Sequence, residues 1–166
     1  MEKLQKIGFS KLTPLNKALV KLLSSINVNH FEEIEINKAL NRVLAEDIIS
    51  HMNIPPFNRS AMDGYAIKAE DSFGASPKNP KLIKLIGTIE IGDFLDLKIN
   101  NGEAIKISTG APVPEGSDAV IKIEDTEIKN DMINLYTALV PGKNVSRKGE
   151  DIEKGNKVLN SGIELK

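Results

Sequence analysis

Three polar loops of this chain carry residue types that can bind a charged ligand or a metal ion. The first runs from Pro55 to Ala66 and contains Arg59, Ser60 and Asp63, which offer a guanidinium, a hydroxyl and a carboxylate. Two prolines fix φ at its start, and an Asp-Gly pair such as Asp63-Gly64 is typical of a turn. The pattern predicts a loop with a defined path rather than a free linker.

Apolar residues are interleaved with the polar ones in this first loop, at Phe57, Ala61, Met62 and Tyr65. Apolar side chains gain free energy when they are removed from water. We therefore expect these four to anchor the loop against the surface beneath it and to hold the polar side chains still.

The second loop follows a predicted strand and runs from Ser108 to Gly116. It begins with Ser108-Thr109-Gly110, which offers two hydroxyls and consecutive backbone N–H groups. Consecutive N–H groups can form an anion-binding concavity. This loop is therefore a candidate site for an oxyanion.

The third loop, Arg147 to Asp151, sets two cations against two carboxylates. Arg147 and Lys148 suit phosphate, because charge-assisted hydrogen bonds to phosphate oxygens are strong. Glu150 or Asp151 suits a hydrated Mg²⁺, which prefers one or two carboxylates together with substrate oxygens.

Each loop taken alone also has a purely structural interpretation, since Asp-Gly and Thr-Gly pairs form common turns and charged loops are usually solvated. The two histidines, His30 and His51, have no recognisable partner spacing. Four acidic residues further along are more typical of a solvated sheet edge than of a metal site: Glu124, Asp125, Glu127 and Asp131.

The overall composition excludes several classes of protein. A net charge of −1 gives no broad basic surface for nucleic acid or for an anionic membrane. The absence of cysteine excludes disulfides, thiolate metal sites and a cysteine nucleophile. No apolar run approaches the ~18 residues of a membrane span, and Met1 to Phe9 carry three charges, unlike a signal peptide. The expected location is the cytoplasm.

The first third of the chain shows mixed α and β patterns. Apolar residues at helical spacing predict a helix to about Ser25, with Thr13 as its N-cap and Pro14 at its first helical position. A strand, a second helix and an extended stretch are then predicted over residues 31–36, 37–44 and 47–54.

From Ala66 to Leu139 the pattern changes to short β-branched segments separated by turn residues. Strands are predicted over residues 81–91, 104–108, 119–123 and 133–140. With 21 Ile and no Trp, these segments predict a compact β-barrel or sandwich. A last strand pair is predicted between Asn156 and Leu165, around Asn160-Ser161-Gly162.

Four separated segments, taken in order, resemble the N-terminal half of the molybdopterin molybdenumtransferases, the family that includes the gephyrin E region. They are Ala39 to Asp47, Pro55 to Ala66, Gly102 to Val120, and Pro141 to Ile152 with its Arg-Lys-Gly-Glu-Asp run. The resemblance covers most of the chain from about Thr13 onward.

The resemblance implies a β-rich α+β fold in two parts. An elongated mixed α/β domain is built from both chain ends, residues 1–52 and 141–166, and a compact β-barrel-like domain, residues 53–140, is inserted between them. The pterin-binding α/β domain and the final β domain of complete members have no counterpart in these 166 residues.

By the same resemblance, complete members are homodimers that insert molybdate into adenylated molybdopterin with Mg²⁺ and release AMP. Their active site lies between the inserted domain of one subunit and the later domains of the other. The chain is thus expected to supply one wall of that site, to act with those later domains and a pterin substrate, and to bind neither nucleic acid nor membrane. Molybdenum and tungsten both stay open as the metal of the oxyanion.

Site residues are implied only where the motifs match. Asp63 of the Ser-Ala-Met-Asp-Gly-Tyr motif and Asp151 of the Gly-Glu-Asp motif look like active-site carboxylates that bind and orient cations or handle molybdate. Thr109 matches the hydroxyl of the Thr-Gly-Ala-Pro motif near that site. Ser60 and Arg147 are expected as substrate-binding neighbours.

The chain departs from the family pattern at two places. Asn58 stands where the family often has Asp, which removes one charge from the first loop. Glu90 and Ile91 occupy a turn where the family usually has small residues, so the local packing is expected to differ.

Two classes of function stay open from the sequence. In the first, the chain is the N-terminal part of the transferase and is inactive alone, because substrate contacts remote from the reacting atoms position those atoms. In the second, the chain is a standalone module that dimerises or docks on enzymes that make or accept the cofactor.

Overall fold

The computed structural model describes residues 13–26, 30–93 and 98–166. Their contacts divide the chain into two compact units, one of residues 46–163 and one of residues 1–45 with 164–166. The domain division expected from the resemblance, with residues 53–140 as an inserted domain, stays a prediction.

Helix α1, Leu15–Ser24, is the main element of the smaller unit. Pro14 is its N-cap residue, with φ −54° and ψ 142°, and no side chain caps the first turn. The predicted helix is confirmed, but its predicted cap is wrong, because Pro14 lies one position before the helix and the Thr13 hydroxyl does not reach its N–H groups. No residue of α1 is buried.

The rest of the described smaller unit is less regular than predicted. A single 3₁₀ turn, Ile36–Lys38, replaces both the predicted strand over 31–36 and the predicted helix over 37–44. Asn41 has a φ of 61°, a left-handed conformation that a helix cannot pass through. Its N–H group donates instead to the Leu165 carbonyl, and Val43 forms an antiparallel bridge with Glu164.

The described residues of the larger unit form ten strands, so the predicted β-rich α+β class is confirmed. Six of the strands form one mixed sheet in the order β6-β3-β5-β4-β8-β7, while β1 pairs with β10 and β2 with β9. The strands are β1 Ile48–Ile49, β2 Arg59–Ser60, β3 Gly64–Ile67, β4 Lys81–Ile89, β5 Glu103–Ile107, β6 Ala119–Lys122, β7 Thr126–Lys129, β8 Met132–Leu135, β9 Val145–Ser146 and β10 Lys157–Leu159. Two 3₁₀ turns, Ala69–Ser72 and Ile123–Asp125, complete the unit.

The strands β4 and β5 run parallel, with Ile89 opposite Ile107, whereas the other pairs in the large sheet are antiparallel. Two neighbouring parallel strands terminate at the same end of the sheet. The residues that follow β4 and β5 therefore emerge side by side.

The large sheet buries residues on both of its faces. Along β3, Tyr65 and Ile67 belong to one apolar cluster and Ala66 to the other. Along β6, Ile121 joins the first cluster and Val120 the second. The alternation follows from the two-residue period of a strand. Isoleucines fill much of both clusters, as the composition predicts.

Strand β3, which lies between β6 and β5, was not predicted, because a strand buried on both faces shows no alternation of polar and apolar residues. Gly64 was expected in a turn, yet it is the first residue of β3 and has no positive φ. The predicted strand over 133–140 stops at Leu135. The solvated sheet edge predicted around Glu127 is confirmed, since β7 is an exposed edge strand of the large sheet. The predicted strand pair over 156–165 is wrong, since β10 pairs with β1 instead.

Within the residues that the structure describes, no helix is both long enough and apolar enough to cross a bilayer.

Candidate active site

Backbone hydrogen bonds, rather than apolar side chains, hold the first loop in place. Of the four expected anchors only Tyr65 is buried, while Phe57 and Met62 remain more than a third exposed. Pro55 is buried at the start of the loop, and its carbonyl accepts a 2.9 Å hydrogen bond from the Gly149 N–H group. The Ala61 N–H group donates to the Asn144 carbonyl at 3.0 Å. The first loop is thus fixed by Asn144, which precedes the third loop, and by Gly149, which lies within it.

Asp63, at the end of this loop, accepts two hydrogen bonds from Thr109 of the second loop. The backbone N–H group and the hydroxyl of Thr109 both donate to the same carboxylate oxygen, Oδ1, each at 2.7 Å. The backbone bond, then the hydroxyl bond, and more weakly the charge of Lys106 hold the pKa of Asp63 below its ordinary value. Asp63 therefore presents an ionised carboxylate that is held through its Oδ1 atom.

The N–H groups of the second loop do not form the anion-binding concavity that the sequence suggested. Thr109 donates to Asp63, and Gly110 donates to the Ser60 carbonyl at 2.8 Å. The Ser108 and Ala111 N–H groups donate to the carbonyls of Ile89 and Ser108, at 3.2 and 3.0 Å. All four N–H donors of residues 108–111 are therefore used inside the protein. To a ligand, Thr109 and the neighbouring Asp63 of the first loop offer oxygen acceptors rather than N–H donors.

Ser60 is buried between the second and third loops. Its N–H group donates to the Ala111 carbonyl at 2.9 Å, and its strand β2 pairs it with Val145 of β9. Its hydroxyl donates to the Met62 carbonyl at 2.5 Å and accepts the Met62 N–H group at 3.3 Å. The Ser60 side chain therefore shapes the turn that leads to Asp63.

The third loop lies along the start of the first. The Asp151 and Ile152 N–H groups both donate to the Ile54 carbonyl, at 3.0 and 3.1 Å, and Ile54 returns a bond to Ile152. The Lys148 N–H group donates to the side-chain oxygen of Asn58 at 2.9 Å. An Asp at position 58 would offer the same acceptor, so the departure from the family keeps this contact.

Within the third loop, Glu150 is the carboxylate with the most partners. Its Oε2 atom accepts the Arg147 N–H group at 2.9 Å. This bond, then the Ser146 hydroxyl, and the positive charges of Arg147 and Arg59 lower the pKa of Glu150. The sequence offers Glu150 or Asp151 as a ligand for Mg²⁺, but only Asp151 is among the expected catalytic residues. The position of Glu150 three residues after Arg147 is the signal for this turn-closing contact.

The structure brings the expected residues together along one loop rather than in one cluster. Asp63 and Thr109 are hydrogen-bonded to each other at the end of the first loop, and Ser60 bonds to the neighbouring Gly110, while the third loop, with Arg147 and Asp151, bonds to the beginning of the first. Strand pairing of Arg59 with Ser146 and of Ser60 with Val145 connects the two groups. In the described part of the chain, the carboxylates of Asp63 and Asp151 share no hydrogen-bonded partner.

A resident metal cage is not built in residues 13–26, 30–93 and 98–166, where no three His, Asp or Glu side chains converge as metal ligands. Mg²⁺ often keeps several waters and is held by one or two carboxylates plus substrate oxygens. The exposed carboxylates of Asp63 and Asp151 fit that second mode, in which the substrate completes the coordination.

A shallow cleft of about 280 Å³ opens beside the first loop, with Asn58 and Arg147 in its wall. Binding sites for small molecules usually enclose roughly 300–1,000 Å³ and bury most of their ligand. The cleft is therefore at the small end for a whole nucleotide-sized ligand.

Comparisons with known proteins show the family to which the chain belongs. The profile of the MoeA N-terminal region (domain I and II) matches residues 13–166. A Methanocaldococcus jannaschii protein named for molybdopterin biosynthesis is 44% identical over 131 residues, which are 79% of this chain and 31% of that protein. The molybdopterin molybdenumtransferase of Staphylococcus aureus is 35% identical over 149 residues, 90% of this chain and 36% of that enzyme.

The fold is also that of solved relatives. Two crystal structures of the molybdopterin biosynthesis MoeA protein of Pyrococcus horikoshii superpose with TM-scores of 0.83 and 0.87, at 44% and 41% identity. They match 93% and 94% of this chain, and the chain spans 40% and 41% of theirs. It spans about a third of the curated relatives. The chain therefore belongs to the MoeA family, the molybdopterin molybdenumtransferases, and corresponds to its N-terminal region.

Proposed function

We propose that the chain acts as the N-terminal part of a molybdopterin molybdenumtransferase, which inserts molybdate into adenylated molybdopterin during molybdenum cofactor biosynthesis. It supplies one wall of an active site at a dimer interface, with Asp63 and Asp151 as its catalytic carboxylates. The observation that carries this proposal is the pair of hydrogen bonds from Thr109 to Asp63, which fixes an ionised carboxylate at the end of the first loop, where the second loop contacts it.

The chemistry of this pair favours a cation, or a ligand that donates hydrogen bonds, over a bare oxyanion. The Thr109 hydroxyl donates its hydrogen to Asp63, so the oxygens of both side chains remain as acceptors. A molybdate ion placed directly on them would meet negative charge, which is unfavourable. Asp63 would hold an Mg²⁺ ion, whose positive charge would offset that repulsion; this is the role proposed for the metal.

Arg147 and Lys148 supply the complementary charge at the other end of the loop. Their positions beside Asn58 and the small cleft suit an anionic group of the substrate, because Arg forms paired hydrogen bonds with phosphate oxygens. Asp151 beside them is the second proposed metal ligand. The cleft is too small to enclose an adenylated pterin, which supports a site completed by the remaining domains and a second subunit.

The proposed setting is a homodimer that works with the later domains of the same enzyme in the cytoplasm. Molybdenum and tungsten are both compatible with the carboxylate and hydroxyl groups present, so the proposal extends to either oxyanion. The proposal needs no nucleic acid and no membrane.

The test is a hybrid enzyme in which this chain replaces the matching region of the Pyrococcus horikoshii protein. The measurement is turnover of adenylated molybdopterin with molybdate and Mg²⁺, followed as AMP release. We expect Asp63→Asn and Asp151→Asn each to lower kcat by about 100-fold or more, as loss of an orienting group does. Glu127→Gln, which changes an exposed carboxylate on the edge strand β7, is the matched control and should keep full turnover.

Two results would contradict the proposal. One is a correctly folded hybrid that binds Mg²⁺ but shows no turnover with its natural sequence. The other is an active hybrid whose kcat is unchanged by both Asp63→Asn and Asp151→Asn.

A second function, a protein-binding module, is favoured by one observation in the smaller unit. Helix α1 has no buried residue, and its aliphatic side chains are all more than half exposed: Leu15, Leu19, Val20, Leu22 and Leu23. A surface this apolar is typical of an interaction site. Sedimentation of the 166-residue chain, with Leu19→Glu and Leu23→Glu as variants, tests it. A dimer that these variants dissociate supports the module, and a monomer with no change on substitution contradicts it.

A further inference from the structure

The turn that follows β4 lies directly against the second loop of the candidate site. Because β4 and β5 are parallel, Glu90 and Ser108 leave the sheet at the same edge. The Ser108 N–H group donates to the Ile89 carbonyl at 3.2 Å, and the Ser108 hydroxyl donates to the Glu90 carboxylate at 2.5 Å. The Ile91 side chain reaches within 3.8 Å of the position that a Cβ on Gly110 would occupy.

Glu90 is itself held in place by its own turn. Its N–H group donates to the Asp93 carboxylate at 3.0 Å, and the Asp93 N–H group donates to the Glu90 carbonyl at 3.2 Å. This reciprocal pair of side-chain and backbone hydrogen bonds fixes the backbone of residue 90. The Glu90 carboxylate therefore accepts the Ser108 hydroxyl from a fixed position.

Neighbouring residues of the second loop thus bind two different carboxylates through their hydroxyls. Ser108 donates to Glu90, and Thr109 donates to Asp63. Hydrogen bonds from a hydroxyl to a carboxylate are charge-assisted and stronger than neutral ones. Because one peptide unit joins the two residues, a displacement of Ser108 displaces the Thr109 N–H group that Asp63 accepts.

We propose that Glu90 is a positioning residue for the candidate active site: by accepting the Ser108 hydroxyl, it fixes the Ser108–Gly110 backbone and thereby the two Thr109 donors that orient Asp63. The inference rests on the proposed catalytic role of Asp63. It gives a function to a carboxylate that touches neither Asp63 nor Thr109 in the described contacts, and that stands where the family usually has small residues.

The first measurement is hydrogen exchange at the Thr109 amide in the full 166-residue chain. Glu90→Ala and Ser108→Ala should each accelerate this exchange about 10-fold, the effect of losing one charge-assisted hydrogen bond. The double variant should exchange no faster than either single variant, since both remove the same contact. Amides of β3 serve as the reference for global stability and should be unaffected.

Two further variants separate positioning from a loss of bulk or charge. Glu90→Gln keeps an oxygen that accepts the Ser108 hydroxyl, so it should stay within about twofold of the natural chain. Glu127→Ala is the matched control, because Glu127 also accepts a hydroxyl, that of Tyr136 at 2.6 Å, on strand β7. It should leave Thr109 exchange unchanged.

The second measurement is steady-state turnover in the hybrid enzyme. Glu90→Ala should lower kcat about 10-fold with little change in KM, because the Asp63 orientation matters most in the transition state. Glu90→Gln should restore most of the loss. Unchanged Thr109 exchange or unchanged kcat in Glu90→Ala would overturn the inference.

The variant Asp63→Asn in the same assay keeps the two proposals apart. If Asp63→Asn abolishes turnover while Glu90→Ala has no effect, only the positioning inference fails. If Asp63→Asn has no effect, the proposed function of Asp63 fails, and with it the catalytic meaning of Glu90.

Discussion

Gly64 of β3 and Ile121 of β6 approach so closely that a Cβ on residue 64 would lie 1.9 Å from the Ile121 carbonyl oxygen, although the residue opposite Gly64 in the strand pair is Lys122. The neighbouring atom belongs to the backbone of a paired strand and cannot move aside as a flexible side chain would. The glycine that follows Asp63 is therefore required by close approach and not by turn geometry. It lets β3 start immediately after the candidate carboxylate.

We predict that Gly64→Ala destabilises the chain by about 3 kcal/mol or more, because overpacking a sheet interior forces backbone shifts. Gly155→Ala is the control, since that glycine has a φ of 92° and no neighbour within 4 Å of the added Cβ. It should cost only about 1–2 kcal/mol from backbone strain. Urea unfolding monitored by circular dichroism measures both. Equal losses in the two variants would contradict the close-approach argument.

The hydrogen bonds to Asp63 make the stability of the larger unit depend on pH. Its pKa is lower in the folded chain than the ordinary 3.8, chiefly because of the Thr109 backbone N–H group. A lowered pKa adds stability that is complete above the ordinary value and is lost as the pH falls through the folded value. The difference in urea midpoint between the natural chain and Asp63→Asn should be constant above about pH 5 and should shrink below pH 4.

The variant Thr109→Val divides this effect between its two donors. It removes the hydroxyl and keeps the backbone N–H group, which is the larger cause of the lowered pKa. An NMR titration of the Asp63 carboxyl carbon should therefore find most of the lowering intact in Thr109→Val. A return of the pKa to its ordinary value would mean that the hydroxyl dominates.

The buried hydroxyl of Ser60 should contribute to stability. Ser60→Ala leaves the Met62 carbonyl without its donor in a partly buried turn, and such losses typically cost about 1–2 kcal/mol. Ser50→Ala is a close control, because the Ser50 hydroxyl makes the same contact two residues ahead, to Met52 at 2.7 Å, on an exposed turn. We expect a loss below about 0.5 kcal/mol there. Urea midpoints decide, and a Ser60→Ala chain as stable as Ser50→Ala would contradict the prediction.

Local patterns predicted what depends on local sequence. The helical spacing after Pro14 located α1, and β-branched runs located β4, β5, β6 and the start of β8. The same reasoning picked out the three loops, since proline, glycine and charge punctuate a chain wherever it folds.

Long-range contacts decided the rest. The N–H groups of the second loop look free in the sequence, but the acceptor of Thr109 is Asp63, 46 residues away. Strand β3 carries no alternation because both of its faces are covered. The Ser60 hydroxyl looks available to a substrate in the sequence, but in the folded chain it is buried and bonded to the Met62 carbonyl. None of these is encoded within a short window of residues.

The last prediction concerns Asn58, where the family resemblance leads us to expect Asp. Its side-chain oxygen accepts the Lys148 backbone N–H group at 2.9 Å, and a carboxylate there would accept it more strongly because the acceptor would be charged. Asn58→Asp should therefore raise the free energy of unfolding by about 0.5 kcal/mol at low salt, and Asn58→Ala should lower it by about 1 kcal/mol.

Salt separates the two causes in these Asn58 variants. The gain in Asn58→Asp is electrostatic and should vanish in about 1 M NaCl, where screening acts within ~3 Å. The loss in Asn58→Ala is a missing hydrogen bond and should persist. Asn53→Asp, at an equivalent contact in which Asn53 accepts the Lys154 N–H group at 2.8 Å, is the matched control and should behave the same way. A gain in the free energy of unfolding that is independent of salt in Asn58→Asp alone would mean that the carboxylate finds a partner other than Lys148. A carboxylate at position 58 would then bind a charged group that Asn58 does not bind.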